Sequence, residues 1–215
     1  MVDGRQIGMQ HQDPGDTDGD RANPWTVLRK EEKFACPHFS VRSDTVTHGS
    51  GLPRTYNSVR MKSFGVIIVP IDDEGCTTLI GQYRYVLDRF TWEVPGGGCE
   101  PDREPSEAAK NELSEETGYR ADHWLRLFDA SLSPGSTDGC AQCFVAWGLH
   151  SGAPHPEPEE RLVQRRVPFA EALSMALSGE ISNFPSVTLL LSSQIKLLRG
   201  ELPADLVLLL QQHSR

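Results

Sequence analysis

Apolar and polar positions divide the 215-residue chain into three parts. Residues 1–23 are rich in Gly, Asp and Gln and nearly lack apolar side chains, which is typical of a disordered tail. Short β-type segments follow, broken by the turn-forming stretch at 49–53, and they predict a small antiparallel β extension over residues 24–62. Residues 63–215 carry the longer apolar patterns and are predicted to form the main domain.

Within the main domain, continuous apolar runs predict buried strands, and apolar residues at helical spacing predict helices. The predicted strands cover residues 64–71, 76–85 and 141–149, and the predicted C-terminal helices cover 168–180 and 184–200, each closing at or near a glycine. These elements interleave without the regular alternation of a doubly wound sheet. We therefore predict the α/β (α+β) class, with a mixed sheet covered by helices.

One further helix carries a concentration of negative charge. Pro105 suits the first helical position and Gly118 suits the left-handed position after the last one, which predicts a helix from Pro105 to Thr117. This helix brings Glu112, Glu115 and Glu116 to one face, where like charges three and four residues apart repel.

The glutamate face has two explanations, of which solvation by water is the commoner in proteins. The other is a bound cation, because carboxylate oxygens are the ligands that Mg²⁺ and Mn²⁺ prefer. Glycines at 96–98 precede the helix and would let the backbone approach an ion or a phosphate, so that a carbonyl could complete the coordination.

Composition narrows the classes of partner and compartment. The net charge of −9 argues against a general binder of nucleic acid or of anionic membranes. The chain has no apolar run of about 18 residues and no secretory pattern at its N-terminus, so we expect a cytoplasmic protein. Five scattered cysteines fit reduced thiols better than a disulfide framework.

The stretch WEVPGGGCEPDREPSEAAKNELSEETGY, Trp92–Tyr119, closely resembles the Nudix box, G-x5-E-x7-R-E-U-x-E-E-x-G-U, in which U is a bulky apolar residue. Aligned from Gly97, the chain departs from the box at two positions. Arg103 stands in place of the first box glutamate, and Asn111 stands in place of the box arginine. In the family these two residues resemble a brace between loop and helix more than they resemble metal ligands.

Other segments resemble the branch of Nudix hydrolases that acts on ADP-ribose and related nucleoside diphosphate sugars. The resemblance covers roughly residues 24 to 200 and includes NPWTVLRKEEKF, LIGQYRY, TWEVPGGG and LSPGSTDG. It implies a Nudix fold, that is, a mixed-sheet α/β/α sandwich with a β extension that often helps to form a homodimer. The implied reaction is Mg²⁺-dependent (or Mn²⁺-dependent) hydrolysis of a pyrophosphate bond, which would give AMP and a sugar phosphate from an ADP-sugar.

The resemblance also implies roles for individual residues. The expected metal ligands are the carboxylates of Glu112, Glu115 and Glu116 and the carbonyl of Gly96, and Glu115 and Glu116 belong to the catalytic set. A general base or extra ligand would come from Glu157, Glu159 or Glu160, with a slight preference for Glu159. The expected substrate contacts are Arg84, Glu93, Gly97, Gly98 and Pro134.

Some alternatives stay open at this stage. Arg84 could be an ordinary surface charge, and Trp92 and Tyr85 could belong to the core or stack on adenine. The chain could also be a Nudix-fold nucleotide-sugar-binding or regulatory protein that lost turnover together with the brace at positions 103 and 111. Retention of all three helix glutamates favours an enzyme, because a non-catalytic domain gains nothing from a self-repelling face.

Overall fold

The structure is a computed structural model that describes residues 22–155 and 161–212. The predicted tail at 1–23 therefore lies outside the described residues, except for its last two positions. Among the described helices, none is long and apolar enough to cross a membrane.

The predicted β segments before residue 62 form a four-stranded antiparallel sheet. Strand β3 lies at its centre: β1 and β2 pair with different parts of β3, and β4 pairs along most of its length. The strands are β1 (Trp25–Arg29), β2 (Glu32–Ala35), β3 (Phe39–His48) and β4 (Arg54–Met61).

A second sheet of seven strands forms the main domain. Strands β5 and β10 run parallel to each other, and the other pairings are antiparallel, so the predicted mixed sheet is confirmed. Its strands are β5 (Phe64–Ile71), β6 (Cys76–Arg84), β7 (Arg89–Glu93), β8 (Gly96–Cys99), β9 (Tyr119–Ser131), β10 (Cys140–Ser151) and β11 (Val163–Pro168). The helices are α1 (Pro105–Thr117), α2 (Phe169–Ser178), α3 (Phe184–Leu198) and α4 (Ala204–Leu210).

Alternating side chains on the central strands create two cores, one on each face of this sheet. On β5, Val66 and Ile68 pack with Leu113 of α1, whereas Val69 and Ile71 pack in the cluster that contains α2, α3 and α4. Each fully buried aliphatic side chain contributes about 1.5–3 kcal/mol through removal of apolar surface from water. The predicted α/β/α sandwich is therefore confirmed, with α1 alone on one face.

The β extension is attached to the main domain through the loop that joins β9 to β10. The amide of Val59 donates to the carbonyl of Ser136 at 2.8 Å, and the amide of Met61 donates to a carboxylate oxygen of Asp138 at 2.9 Å. The hydroxyl of Tyr56 donates to the carbonyl of Gly135 at 2.8 Å. These contacts fix the position of the loop that contains Pro134.

The glycine stretch expected as a turn forms β8, which pairs with β5 and places Gly97 opposite Val66. Glycine is required at position 96 because a Cβ on Gly96 would lie closer than 3.0 Å to the carbonyl oxygen of Val66.

The interpretation of Tyr85 as a core residue is wrong. The strand ends at Arg84, and Tyr85 is 94% exposed in a short 3-10 turn. Trp92, by contrast, is partly buried against the core.

The five cysteines are all described and all are free thiols, as expected. Cys143 lies fully buried on the α2–α4 side of the sheet, and this burial raises the pKa of its thiol to about 12.

Candidate active site

Helix α1 has the bounds that its sequence predicts, and its C-terminal end is sharply defined. Gly118 adopts φ of 76°, and its amide donates to the carbonyl of Ser114 at 2.9 Å. A Cβ on Gly118 would also lie closer than 3.0 Å to the backbone of Gly152. Both the positive φ and this close approach require glycine, and the approach places the end of α1 directly beside the backbone that follows β10.

Glu116 connects the end of α1 to β8. Its side chain is almost completely buried, with 4% of the residue exposed, and its Oε2 accepts a hydrogen bond from the amide of Gly96 at 2.9 Å. A carboxylate with so little access to water is costly unless hydrogen bonds or cations compensate it. The hydrogen bond from Gly96 offsets part of this cost and fixes the carboxyl group of Glu116 beside β8.

Glu112 lies one helical turn earlier and approaches the next glycine of β8. A Cβ built on Gly97 would lie closer than 3.0 Å to the carboxyl carbon and to both carboxylate oxygens of Glu112. Gly97 thus leaves the space that this carboxylate occupies. Two carboxylates of α1 are consequently held against the backbone of two consecutive glycines.

Glu115 has a different environment. It borders a cleft of about 600 Å³ together with residues of α1, the start of β9 and His155. Its carbonyl accepts a hydrogen bond from the amide of His155 at 2.9 Å. The described contacts therefore bring Glu112 and Glu116, but not Glu115, to the glycine strand.

The donor set beside β8 suits a hard divalent cation. Two carboxylates and nearby backbone oxygens are all oxygen ligands, and Mg²⁺ typically takes one or two carboxylates and completes its shell with water and substrate phosphates. Among residues 22–155 and 161–212, no group of three or more His, Cys, Asp or Glu side chains is arranged to hold a metal ion. The residues present fit a divalent cation that takes two carboxylates and completes its shell with other oxygen ligands.

Two residues predicted to contact substrate contact each other. Arg84 donates through Nε and Nη2 to the two carboxylate oxygens of Glu93, at 2.8 and 2.7 Å, and Thr91 donates to Glu93 as well, at 2.8 Å. Glu93 is 7% exposed, and it lies three residues before Gly96 in the chain. Arg84 is therefore not an isolated surface charge.

Sequence reasoning missed Gln164 of β11. Its side-chain amide donates to the carbonyl of Glu116 at 2.7 Å. A single exposed glutamine gives no signal in the sequence, because only the pairing of β11 with β6 brings it to the end of α1.

The loop between β8 and α1 lacks the brace that the family resemblance implies. Asn111 is exposed, and Arg103 forms no ion pair with any carboxylate in the described part of the chain. Instead, the buried thiol of Cys99 lies 3.4 Å from the carbonyl oxygen of Glu100 and 3.6 Å from that of Arg103. Apolar packing of Cys99 against Ala108 and Ala109 holds this loop to the helix.

Pro134 lines a separate cavity of about 520 Å³ between the β extension and the β9–β10 loop. Trp25 and Tyr56 also line it, with ring centroids 5.4 Å apart. Gly98, another predicted substrate contact, is exposed in β8. The candidate bases Glu157, Glu159 and Glu160 lie outside the described residues.

Comparisons with known proteins agree with this architecture. The family model described as NUDIX domain matches residues 61–189. The ADP-ribose pyrophosphatase of Mycobacterium tuberculosis is 32% identical over 159 residues, which cover 67% of this chain and 77% of that protein. A GDP-mannose pyrophosphatase of Yersinia enterocolitica is 31% identical over 131 residues, covering 56% of this chain and 68% of the relative.

A solved structure described as an ADP compounds hydrolase superposes with a TM-score of 0.74 at 25% identity, covering 82% of this chain and 95% of the other. The predicted family resemblance is thereby confirmed in sequence and in fold. Helix α1 lies against the glycine strand β8, and the family model matches more than half of the length of this chain. The chain therefore belongs to the Nudix family and is a Nudix hydrolase.

Proposed function

We propose that the protein hydrolyses the pyrophosphate bond of ADP-ribose or a related nucleoside diphosphate sugar, with Mg²⁺ or Mn²⁺, to give AMP (or another nucleoside monophosphate) and a sugar phosphate. The observation that carries this proposal is the placement of Glu112 and Glu116 against Gly97 and Gly96. The relatives named as ADP-ribose and GDP-mannose pyrophosphatases support the substrate class and leave the base and sugar open.

Different residues would bind the cation and accept the proton in this reaction. Glu112 and Glu116, which lie against β8, would hold the cation with the carbonyl of Gly96. Glu115, the third expected ligand, borders the neighbouring cleft. A bound divalent cation supplies positive charge that offsets the diphosphate and makes water more acidic. The water oxygen attacks phosphorus, the bond from phosphorus to the bridging oxygen breaks, and the proton passes to a carboxylate, for which Glu159, Glu160 and Glu157 are the candidates.

Substrate binding would use two further parts of the site. Arg84, oriented by Glu93, presents a planar guanidinium that suits a phosphate oxygen pair. The cavity beside Pro134 has a volume in the range of small-molecule sites, and the rings of Trp25 and Tyr56 offer apolar surface to a nucleoside. Gly97 and Gly98 would let the diphosphate approach the backbone of β8.

The test is release of AMP from ADP-ribose with Mg²⁺ by the wild type and by Glu116→Gln. We expect a fall of about 100-fold or more in kcat for the variant, because it removes charge stabilisation at the reacting phosphates. Glu107→Gln is the matched control, since Glu107 is an exposed glutamate of the same helix that pairs with Lys110. Its activity should stay within about twofold of the wild type.

Two outcomes would contradict the proposal in different ways. Binding without turnover across a panel of nucleoside diphosphate sugars, dinucleoside polyphosphates and coenzyme A would favour the binding or regulatory protein. Wild-type activity in Glu116→Gln would show that the metal site lies elsewhere.

We also propose that the β extension supports a homodimer and that the protein acts in the cytoplasm. Leu28 and Phe34 are apolar and each about half exposed, on β1 and β2 respectively. Light scattering should give twice the chain mass of 23.8 kDa, and the double variant Leu28→Asp with Phe34→Asp should reduce it to one chain. A monomeric wild type would refute the dimer and leave the hydrolase proposal standing.

A further inference from the structure

The last turn of α1 is held from outside the helix at two consecutive residues. Carbonyls in the last turn of any helix lack intrahelical partners. Here the carbonyl of Glu115 accepts from the amide of His155 at 2.9 Å, and that of Glu116 accepts from the side-chain amide of Gln164 at 2.7 Å. These are the two residues expected to serve catalysis, so the backbone that carries them is fixed by other elements.

The position of Gln164 on β11 explains how its side chain reaches the helix. Gln164 pairs with Ile80 of β6, and Ile80 also pairs with Glu93 of β7. Residues in one row across a sheet project to the same face. The next residue, Arg165, makes its ion pairs with Glu171 of α2 and with Glu180, on the opposite side. Gln164 and Glu93 therefore project to the face that carries α1.

Glu116 is consequently held at two points. Its main chain is bound by Gln164 of β11, and its carboxylate is bound by the amide of Gly96 in β8. A shift of the last turn would alter the direction in which the carboxylate leaves the helix. Both hydrogen bonds contribute to the position of that carboxylate relative to the glycine strand.

A neutral amide suits this position better than a charged donor. The C-terminal end of a helix carries partial negative charge, and Glu112, Glu115 and Glu116 add to it. A lysine or arginine at position 164 would satisfy the carbonyl, but it would also bring a positive charge that competes with a divalent cation for the carboxylates. An amide satisfies the carbonyl and leaves the negative charge available.

We propose that Gln164 is a positioning residue that fixes the last turn of α1, so that Glu116 is presented correctly to the divalent cation. This inference rests on the proposed function, because it assigns Gln164 a part in the same metal site. Gln164 lies in the exposed part of β11, and its amide is not needed to fill the core. Its loss should therefore weaken metal binding without unfolding the protein.

The test compares Gln164→Met, which keeps the length of the side chain and removes the donor, with Gln212→Met. Gln212 makes an equivalent bond, from its side-chain amide to the carbonyl of Asp73 at 2.9 Å, away from the site. Mn²⁺ binding to the metal-free proteins is followed by electron paramagnetic resonance, and kcat and KM are measured over a range of Mg²⁺ concentrations. Gln164→Ala serves as a second variant.

We expect Gln164→Met to bind Mn²⁺ about fivefold more weakly, as the loss of one hydrogen bond implies, and to need correspondingly more Mg²⁺ for half-maximal rate. At saturating Mg²⁺, the KM for ADP-ribose should stay within about twofold of the wild type. Gln212→Met should bind Mn²⁺ normally. Wild-type Mn²⁺ affinity in both position-164 variants would overturn the inference, as would an equal loss in Gln212→Met.

The hydrolase proposal would be refuted by results other than those that overturn the role of Gln164. A wild type that binds Mn²⁺ but hydrolyses none of the substrates would refute the hydrolase proposal, and the Mn²⁺ comparison would still decide the role of Gln164. A wild type that binds no Mn²⁺ at millimolar concentration would overturn both.

Discussion

Arg84 and Glu93 form a two-pronged ion pair between the neighbouring strands β6 and β7, with nitrogen–oxygen distances of 2.8 and 2.7 Å. The Arg84 side chain is 41% exposed, whereas that of Glu93 is 9% exposed. The buried carboxylate thus fixes the orientation of a guanidinium that still reaches solvent. A substrate phosphate would meet an arginine whose conformational freedom is already reduced.

Removal of Arg84 should destabilise the protein more than removal of a surface arginine. In Arg84→Met the buried carboxylate of Glu93 keeps the hydroxyl of Thr91 and loses both guanidinium bonds. We expect the free energy of unfolding to fall by about 1–3 kcal/mol, measured by denaturation in urea. The control is Arg199→Met, since Arg199 pairs with the more exposed Glu201 and its removal should lower the free energy of unfolding much less. Equal losses in the two variants would contradict the structural importance of the pair.

Gly97→Ala should impair the reaction with little effect on stability. The added Cβ would occupy the space of the Glu112 carboxyl group, which is the flexible end of a side chain and can move aside. We expect at least a tenfold rise in the Mg²⁺ concentration needed for half-maximal rate, while the melting temperature changes by only a few degrees. Gly98→Ala is the control for the metal requirement, because its Cβ would meet nothing closer than a Ser63 hydroxyl at 3.8 Å and so leaves Glu112 in place. A rise in the Mg²⁺ requirement of Gly98→Ala as large as that of Gly97→Ala would show that Glu112 is not the critical neighbour.

Restoring the family brace should raise the stability of this protein or its rate of hydrolysis. The double change Arg103→Glu with Asn111→Arg places opposite charges at the two positions that depart from the Nudix box. A new ion pair worth up to about 1 kcal/mol would raise the melting temperature by about 2–4 °C in a domain of this size, or raise the rate. Calorimetry and the AMP-release assay measure both quantities. A double variant that performs worse than either single variant would refute the lost-brace explanation.

Cys143 should make stability fall at alkaline pH. Burial raises the pKa of its thiol from an ordinary 9.0 to about 12, so the unfolded chain loses its proton at lower pH than the folded one. The contribution of the neutral thiol is fully present below pH 9 and is lost as pH rises from 9 to 12, with a slope of at most about 1.4 kcal/mol per pH unit. Urea denaturation across this range measures the slope. Cys143→Ala should show a shallower decline, and an unchanged slope in that variant would assign the loss to other groups.

The elements that sequence reasoning located have strong local signals. Helix α1 has Pro105 at its start and Gly118 after its end, and β5 is a continuous apolar run, so both were predicted with correct bounds. Strand β8 was expected as a turn because glycine usually indicates a turn. Its pairing depends on tertiary contact, since the backbone of Gly96 must approach Val66 more closely than a Cβ permits.

The same distinction applies to the site. Glutamates on one helical face are visible in the sequence, whereas the hydrogen bond from Gln164 to Glu116 joins residues 48 positions apart and depends on strand pairing. Likewise, Arg84 and Glu93 were singled out separately as substrate contacts, and nothing in their local sequence reveals that they bind each other. Local periodicity identifies which face is chemically unusual, but long-range register determines which side chains meet there.

The contacts of the β9–β10 loop with β4 give that loop an architectural role. Surface loops ordinarily tolerate insertion and sequence change because few contacts depend on their conformation. In this loop the carbonyls of Gly135 and Ser136 and the carboxylate of Asp138 all bind the extension. An insertion in this loop would therefore disturb the contacts that set the placement of the two sheets relative to each other, so this loop should tolerate changes in length poorly.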